Sequence, residues 1–214
     1  MKNLESFNTK KFWIKILVFI IGIFIVQLGV ALFIQSNAGV DTYTIIMEGL
    51  SNLLNITVGQ ANILIMVIIF IGMLLFAREY IRIGTFLATF ITGIFLDLVV
   101  MSLNGLGIGT LPFMLRLIIL ALGCVVIAIG FAILNAPELS VSPLDQLPLI
   151  IVDKTKFTYS QVRITQDVVF ITVGYLLGGT LGVGTIIALL LIGPCIQFTL
   201  KHICEPLKAK INAL

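Results

Sequence analysis

The sequence predicts an all-α membrane protein with six transmembrane helices, arranged as two inverted three-helix repeats. Each repeat is expected to carry a short re-entrant or interfacial helix after its first span. Three observations predict this class: an apolar composition, apolar runs near bilayer length, and a repeated block. Hydrophobic residues make up 59% of the 214 residues and charged residues 11%, whereas soluble domains carry roughly 25% charge. We therefore expect residues 1–214 to form a single membrane domain.

Six apolar runs have about the 20 residues that a helix needs to cross a bilayer. They cover residues 12–34, 60–77, 81–103, 111–134, 161–178 and 183–203. Their apolar character is continuous and does not alternate as in a barrel strand, so helices are predicted. The first run is longer than the apolar part of a signal peptide and is expected to remain as the first span.

A block in the first half of the chain recurs about one hundred positions later. Gly84, Thr85, Ala88 and Gly93 match Gly184, Thr185, Ala188 and Gly193. With a one-residue slip, Gly29, Ala31, Thr57 and Gln60 match Gly130, Ala132, Thr158 and Gln161. Repeat 1 covers about residues 12–103 and repeat 2 about residues 111–203. Because each repeat holds three spans, the second enters the membrane from the opposite side, and a substrate site is expected near mid-depth where the repeats meet.

Two segments, residues 41–54 and 142–153, follow the first and fourth spans and are too short to cross. The first places Ile46, Leu50 and Leu53 along one helical stripe. The second opens with Ser142-Pro143-Leu144-Asp145, which has an N-cap serine, a proline at the first helical position and an acidic first turn. Each segment predicts a short helix, and both a re-entrant and an interfacial position remain open.

Cationic residues cluster on one side of the predicted topology. With a cytoplasmic N-terminus, the cytoplasmic cations are Lys2, Lys10, Lys11, Lys15, Arg78, Arg82, Lys154, Lys156, Arg163, Lys201, Lys208 and Lys210. Arg116 falls on the outer side. This asymmetry predicts a multi-pass protein of the cell inner (plasma) membrane with both termini in the cytoplasm.

Ionisable residues within spans are the first candidates for a site, because an unpaired charge is costly in lipid. Arg163 and Asp167 are four residues apart and can pair on one helix face. They fit either a structural ion pair near the helix end or an anion site in a cavity. Asp97 falls opposite Gln197 in the repeat and is either a proton-coupling group or a carboxylate at the outer interface. A pair between Asp97 and Arg116 would account for a lone outer arginine.

Neutral polar residues extend the candidate set. Gln27, Asn62, Gln161, Gln166 and Gln197 lie in spans, where such residues form interhelical hydrogen bonds or line a polar cavity. Tyr43 is interpreted as an interfacial anchor. The predicted substrate-binding residues are Arg163, Asp167, Asp145, Ser142, Asp97, Gln197, Thr44 and Asn62. Small residues such as Gly22 and Gly29 are interpreted as sites of close helix packing.

Several strings resemble a known family. They are Gly39-Val40-Asp41-Thr42-Tyr43-Thr44, Gly93-Ile94-Phe95-Leu96-Asp97, and Leu177 to Thr185 with its five glycines. The chain from about Gly29 to Phe198 resembles the YczE/YyaS/YitT-like bacterial integral membrane proteins. That family commonly has Ser-Pro-Trp-Asp where this chain has Asp41 to Thr44, and the second half is closer to the pattern at Ser142 to Asp145. The resemblance implies a membrane protein with a transport or accessory role.

No nucleophile elbow, phosphate loop or metal-ligand spacing occurs in the sequence, and the three cysteines are interpreted as reduced packing residues. We therefore expect no enzyme, cofactor, metal or nucleic-acid partner. The expected function is that of a small secondary transporter of a small polar or anionic metabolite that works by alternating access, with coupling to protons left open. The alternatives are a substrate-capture subunit of a multi-component importer and a non-transporting accessory or scaffold protein. The expected partners are a small-molecule substrate, the lipid bilayer, and a second copy or a partner membrane subunit.

Overall fold

The computed structural model describes residues 9–139 and 142–213, which form helices and short connections. The α-helices of this part of the chain are α1 (Thr9–Ser36), α2 (Thr42–Leu54), α3 (Val58–Phe76), α4 (Ile83–Leu103), α5 (Phe113–Asn135), α6 (Pro143–Lys154), α7 (Tyr159–Leu176), α8 (Val183–Thr199) and α9 (Glu205–Ala213). Single 3₁₀ turns occupy Arg78–Tyr80, Asn104–Leu106 and Ile108–Thr110, and a π-helical turn, Leu200–Cys204, joins α8 to α9. Lys2, which the charge pattern assigned to the cytoplasmic side, lies outside the described residues.

Among the described residues, five helical segments are long and apolar enough to cross a membrane. They contain α1, α3, α4 and α5, and the fifth runs from Val183 to Ala213. The prediction of an all-helical membrane protein is therefore confirmed. The remaining predicted span corresponds to α7, an 18-residue helix. This helix carries the charged residues Arg163 and Asp167 and is not among the five candidate membrane spans.

Helices α1 and α5 form the central contact and run antiparallel. A Cβ atom added at Gly22 would lie 2.5 Å from the Leu134 backbone nitrogen, and one at Gly130 would lie 2.6 Å from that of Val26. Glycine is therefore required for this close approach, which agrees with the packing interpretation of Gly22. Outside this pair, α4 packs on α1 and α8 packs on α5.

The segments that follow α1 and α5 cross to the other half of the chain. The backbone N–H of Gly184, at the start of α8, donates to the carbonyl of Ala38 at 2.8 Å. The N–H of Gly84, at the start of α4, donates to the carbonyl of Leu139 at 3.1 Å. These bonds satisfy amides that a helix N-terminus otherwise leaves unpaired, and they tie each half of the chain to the other.

The two short segments form helices, and the start predicted at Ser142 is confirmed, with Pro143 in the first turn of α6. In α2 the N-cap is Asp41. The apolar stripe of α2 faces outward, with Leu53 58% exposed and Leu54 46% exposed. The buried face consists of Thr42, Thr44, Ile45, Met47, Gly49 and Ser51. Lipid favours this orientation, because lipid tails are as apolar as the leucine side chains and burial inside the protein would not stabilise these side chains further.

Helices α3 and α4 are in close contact along the halves that the predicted topology places toward the outer side of the membrane. A Cβ atom at Gly93 would lie 2.2 Å from the carbonyl oxygen of Gly59. The carboxylate of Asp97 accepts hydrogen bonds from the Gly59 N–H at 2.8 Å and the Thr57 hydroxyl at 2.5 Å. We call this contact the α3–α4 seam.

Helices α7 and α8 are the corresponding pair in the second half, and they make few contacts with each other. A Cβ atom at Gly193 would meet no atom within 4 Å. Gln197, at the position that corresponds to Asp97, is exposed. We call the gap between these helices the α7–α8 seam; it is open where the α3–α4 seam is closed.

Helix α9 is held by an ion pair, by the buried side chain of Ile211 and by a hydrogen bond that the Lys11 ammonium donates to the Asn212 carbonyl at 2.8 Å. The Lys208 ammonium lies 2.5 Å from the Glu138 carboxylate, and its hydrogen bond lowers the pKa of Glu138 below the usual value of 4.5. A lowered carboxyl pKa stabilises the docked state above the unfolded value, and that stabilisation is lost as the pH falls through the folded value. Docking of α9 is therefore expected to weaken on acidification below about pH 4.5.

A spin label on Ala209→Cys, an exposed position of α9, in a background without the native cysteines, measures this effect as increased mobility below that pH. In Glu138→Gln the label should be mobile at neutral pH and insensitive to acidification. An unchanged acid transition in Glu138→Gln would contradict the assignment to this carboxylate.

Candidate functional site

A cavity of about 580 Å³ lies between the two halves of the chain. Every helix from α1 to α8 contributes to its lining. The walls are largely apolar, and polar side chains enter from the beginnings of α2, α6 and α7 and from α3 and α8. Such a volume matches sites for small molecules, which have few polar groups on an apolar lining.

The first turns of α2 and α6 each bring one carboxylate and one hydroxyl to the cavity. In α2, Asp41 is the N-cap, and the hydroxyl of Thr44 donates to it. In α6 the order is reversed: Ser142 is the N-cap, and its hydroxyl donates to the Asp145 carboxylate at 2.7 Å. The two residue types have exchanged places within the same local pair. This exchange explains how the first half keeps an acidic group at the cavity although Thr44 is not acidic.

The Asp41 carboxylate also accepts from the backbone N–H groups of Tyr43 at 3.2 Å and Thr44 at 3.4 Å. At the other helix, the Asp145 N–H donates to the Ser142 hydroxyl oxygen at 3.3 Å. Helix N-termini favour negative charge because their amides point outward unpaired. Here the protein's own side chains fill that role.

A hydrogen-bonded chain crosses from α2 to α4 through α3. The Tyr43 hydroxyl donates to the side-chain oxygen of Asn62 at 2.7 Å, and the Asn62 amide donates to the Thr92 hydroxyl at 3.0 Å. Thr92 in turn donates to the Ala88 carbonyl at 2.8 Å. Both the oxygen and the nitrogen of the Asn62 side chain are hydrogen-bonded, so this chain fixes the Tyr43 ring at the cavity.

The predicted pair of α7 is present in the cavity wall. Arg163 Nε lies 3.7 Å from Asp167 Oδ2, with side chains 39% and 24% exposed. The Thr42 hydroxyl donates to Asp167 Oδ1 at 2.8 Å, so this carboxylate joins α7 to α2. Arg163 also interacts electrostatically with Asp145, and Tyr43 interacts with both Asp41 and Asp145.

Most of the predicted substrate-binding residues meet at this cavity. Arg163, Asp167, Asp145, Ser142, Gln197, Thr44 and Asn62 line it. Asp97 does not, because its carboxylate binds the N-terminus of α3 within the α3–α4 seam. The considered pair with Arg116 is also wrong: Arg116 donates to the Asn37 carbonyl at 3.1 Å and lies against the Phe113 ring.

The buried glutamines have different roles. Gln27 lines the cavity with 7% of its surface exposed, and its amide has no hydrogen-bond partner among residues 9–139 and 142–213. Gln161 completes a capping box at the start of α7. Gln166 is buried outside the cavity, and its side-chain oxygen is unpaired in the described chain.

Sequence reasoning missed two polar groups of the site, Asp41 and Tyr43. Comparison with the family pattern indicates that the acidic position of the first half has moved, but Asp41 is not among the predicted site residues, although its position before an apolar helix is typical of an N-cap. Tyr43 was interpreted as an interfacial anchor, and the structure corrects this by placing its hydroxyl on Asn62. The sequence signal that could have placed Tyr43 at the site is its position two residues after the N-cap Asp41, in the first turn of α2.

Within the part of the chain that the structure describes, no three His, Cys, Asp or Glu side chains are grouped to hold a metal ion. The cysteines Cys124, Cys195 and Cys204 are free. The chemistry available at the cavity is therefore that of carboxylates, one guanidinium, hydroxyls and amides.

Comparison with known proteins places this geometry in context. Residues 13–201 match DUF6198, described as a family of unknown function. Two Bacillus subtilis (strain 168) proteins are similar: the uncharacterized protein YyaS, 31% identical over 87% of this chain and 90% of its own, and the uncharacterized membrane protein YczE, 29% identical over 85% and 83%. An uncharacterized Haemophilus influenzae protein is 27% identical over 90% of this chain and 85% of its own. No solved structure matches significantly. The predicted resemblance to YczE- and YyaS-like proteins is confirmed.

Proposed function

We propose that this chain, which belongs to the family of unknown function DUF6198, is a small secondary transporter that moves a small polar metabolite by alternating access. The observation that carries the proposal is the charged cavity between the halves, with Asp41 and Asp145 at the starts of two short helices. Charged groups at membrane depth are costly and are typical of substrate pathways.

The inverted repeat is part of this proposal and is supported by reciprocal contacts. Gly22 of α1 lies against Leu134 of α5, and the corresponding Gly123 lies against Phe33. The backbone bond from Gly184 to Ala38 has its counterpart in the bond from Gly84 to Leu139. Such exchange of equivalent contacts is expected of two units related by a two-fold axis, and in transporters that axis lies in the membrane plane.

In this arrangement α7 is the sixth span, and α2 and α6 are re-entrant. The charges of α7 turn to the cavity, where Arg163 and Asp167 pair, so its low hydropathy does not require contact of charge with lipid. Helices α2 and α6 begin at cavity residues Asp41 and Ser142, which favours a re-entrant over an interfacial position. Backbone that starts at depth is tolerated where it lines a cavity.

With both termini in the cytoplasm, the observed conformation is inward-facing. The closed α3–α4 seam lies in the outer half, and the open α7–α8 seam lies in the inner half. The exposed lining residues Tyr159, Gly193 and Gln197 and the half-buried Arg163 belong to α7 and α8. Helices α2 and α7 also approach closely on the outer side, where a Cβ atom at Gly49 would lie 2.5 Å from the Gly174 carbonyl.

The outward-facing state is expected to exchange the two seams. Gln197 would then approach Thr158 and the amide of Ser160 as Asp97 now approaches Thr57 and Gly59. Because Ser160 has a Cβ atom and Gly59 has none, the closed α7–α8 seam is expected to be wider than the closed α3–α4 seam. A neutral glutamine makes weaker hydrogen bonds than a carboxylate, so the inward-facing state is expected to dominate without substrate.

Paired spin-label distances across the two seams test the exchange. Leu64/Phe90 spans the first seam, and the corresponding pair Thr165/Leu190 spans the second; all four residues are exposed. Each pair is expected to show two populations in liposomes, with the major one short for Leu64/Phe90 and long for Thr165/Leu190.

Gly193→Leu supplies the coupling test, because the leucine fills the space that closure of the α7–α8 seam needs. It should remove the minor, long population of Leu64/Phe90, although residue 193 lies in the other half. Gly105→Leu is the matched control, since a Cβ atom at Gly105 also meets no atom within 4 Å and the residue lies outside both seams. A single unchanged distance at both pairs, or a minor population that persists in Gly193→Leu, would reject alternating access.

A further inference from the structure

We infer that the cavity binds a small organic cation, an amine or a quaternary ammonium with an apolar body. This inference rests on the proposed function, since it names the substrate class of the same cavity. It departs from the anionic class that the sequence left open. It follows from the excess of carboxylates in the cavity, from the donors that these carboxylates already use, and from a lining amide without a partner.

The charges that line the cavity do not balance. Its ionisable acidic and basic side chains are Asp41, Asp145, Asp167 and Arg163, which amounts to three carboxylates and one guanidinium. Arg163 is paired with Asp167, so Asp41 and Asp145 remain. With all four groups ionised the lining carries a net charge of −2, and a cationic guest reduces the cost of holding these carboxylates away from water.

The donors at the starts of the two short helices are used by the protein's own carboxylates. At the start of α2, the amides of Tyr43 and Thr44 and the Thr44 hydroxyl bind Asp41. At the start of α6, the Ser142 hydroxyl binds Asp145. An anionic guest at the start of α2 would therefore have to displace the Asp41 carboxylate, and at the start of α6 it would lie against the Asp145 carboxylate. The one guanidinium of the lining, Arg163, is paired with Asp167.

An unpartnered amide provides a second, independent indication of a ligand. Gln27 lines the cavity with 7% of its surface exposed, and its amide is unpaired in the described chain. Leaving an amide unpaired in a largely apolar cavity costs free energy that a bound polar group recovers. One oxygen of Asp145 accepts from Ser142, and the other has no partner among the residues described. An ammonium group donates to both kinds of oxygen.

The walls fit the remainder of such a molecule. Apolar side chains from α1, α5 and α8 face the cavity together with the rings of Tyr43, Phe131 and Tyr159. Aromatic faces attract organic cations through their quadrupoles. A volume of about 580 Å³ accommodates a substituted ammonium of one or two rings.

Equilibrium binding to the purified full-length protein in detergent tests this class. The probes are 3-phenylpropylamine and benzyltrimethylammonium as cations, with 3-phenylpropanol and 3-phenylpropanoate as the neutral and anionic molecules of matched shape. We expect both cations to bind at least tenfold more tightly than the alcohol and the carboxylate not to bind. In Asp145→Asn that preference should fall at least tenfold, and it should be retained in Glu205→Gln, whose carboxylate is exposed on α9.

Tighter binding of the alcohol or the carboxylate, absence of binding of both cations to folded protein, or an unchanged preference in Asp145→Asn would overturn the inference. Phosphatidylethanolamine, added as a competitor, distinguishes a lipid ammonium from a free amine: competition assigns the site to the lipid headgroup and contradicts the free amine, and its absence supports the free amine. Cation binding without exchange of the seams would reject the transport proposal and leave the substrate class intact. Seam exchange without cation binding would reject the cationic substrate class and leave the transport proposal intact.

Discussion

Gly193→Leu is expected to fold like the wild-type protein and to lose uptake in liposomes, whereas Gly93→Leu is expected not to fold stably. The two glycines are matched positions of the repeated block, so the substitution is the same; Gly193 lies at the open α7–α8 seam and lines the cavity, whereas Gly93 lies in the closed α3–α4 seam. At Gly193 the added Cβ atom meets no atom within 4 Å, and at Gly93 it would lie 2.2 Å from the Gly59 carbonyl oxygen. Overpacking costs about 1–3 kcal/mol where side chains can adjust, and a backbone carbonyl adjusts less.

Thermal unfolding in detergent and uptake of radiolabelled benzyltrimethylammonium measure the two effects separately. Gly193→Leu should keep the wild-type unfolding temperature and retain less than about a tenth of the uptake, the factor that roughly 1.4 kcal/mol against closure produces. Gly105→Leu controls for the added apolar volume and should transport normally. Wild-type uptake by Gly193→Leu would mean that the α7–α8 seam never needs to close.

Asp145→Asn is the second change with a large expected effect. The variant keeps the size and the Ser142 contact but removes one of the two carboxylates that no guanidinium balances through a direct pair. Truncating a desolvated charge interaction costs about 2–5 kcal/mol, so uptake of benzyltrimethylammonium below its saturating concentration should fall at least about 30-fold.

Two further variants separate charge from geometry at this position. Ser142→Ala removes one hydrogen bond to the carboxylate, with an expected cost of about 1 kcal/mol, and should reduce uptake roughly fivefold. Asp145→Glu keeps the charge and should retain more activity than Asp145→Asn. Uptake by Asp145→Asn within twofold of wild type would exclude this carboxylate from the site.

Local signals in the chain were sufficient to predict most helices. The apolar runs predict the long helices because lipid requires about 20 apolar residues for each span. The start of α6 follows from Ser142 and Pro143, whose capping properties depend on the immediate backbone only. In α7 the charges of Arg163 and Asp167 lower the hydropathy, and the tertiary pairing that compensates them is visible only in the folded chain.

The arrangement of the cavity depended on which helix faces meet, which the sequence does not specify. Asp97 and Arg116 have similar predicted depths, yet they face different neighbours, the start of α3 and the segment after α1. The sequence alone favours an interfacial position for Tyr43, because it does not show that α2 begins at the cavity. The carboxylate of Asp41 compensates for the absence of an acidic residue at Thr44. Comparison with the family pattern indicates a moved acidic position, but the cavity that this carboxylate reaches is visible only in the folded chain.

The central claim is that the cavity carries a cation across the membrane as the two seams exchange, with no other protein required. Counterflow in liposomes that contain only this purified chain tests it most directly. Vesicles loaded with unlabelled benzyltrimethylammonium should transiently accumulate the external labelled cation above its equilibrium level, and vesicles with Gly193→Leu should not. Binding of the cation to the same preparation without any counterflow would contradict the claim and identify a capture subunit that depends on a partner.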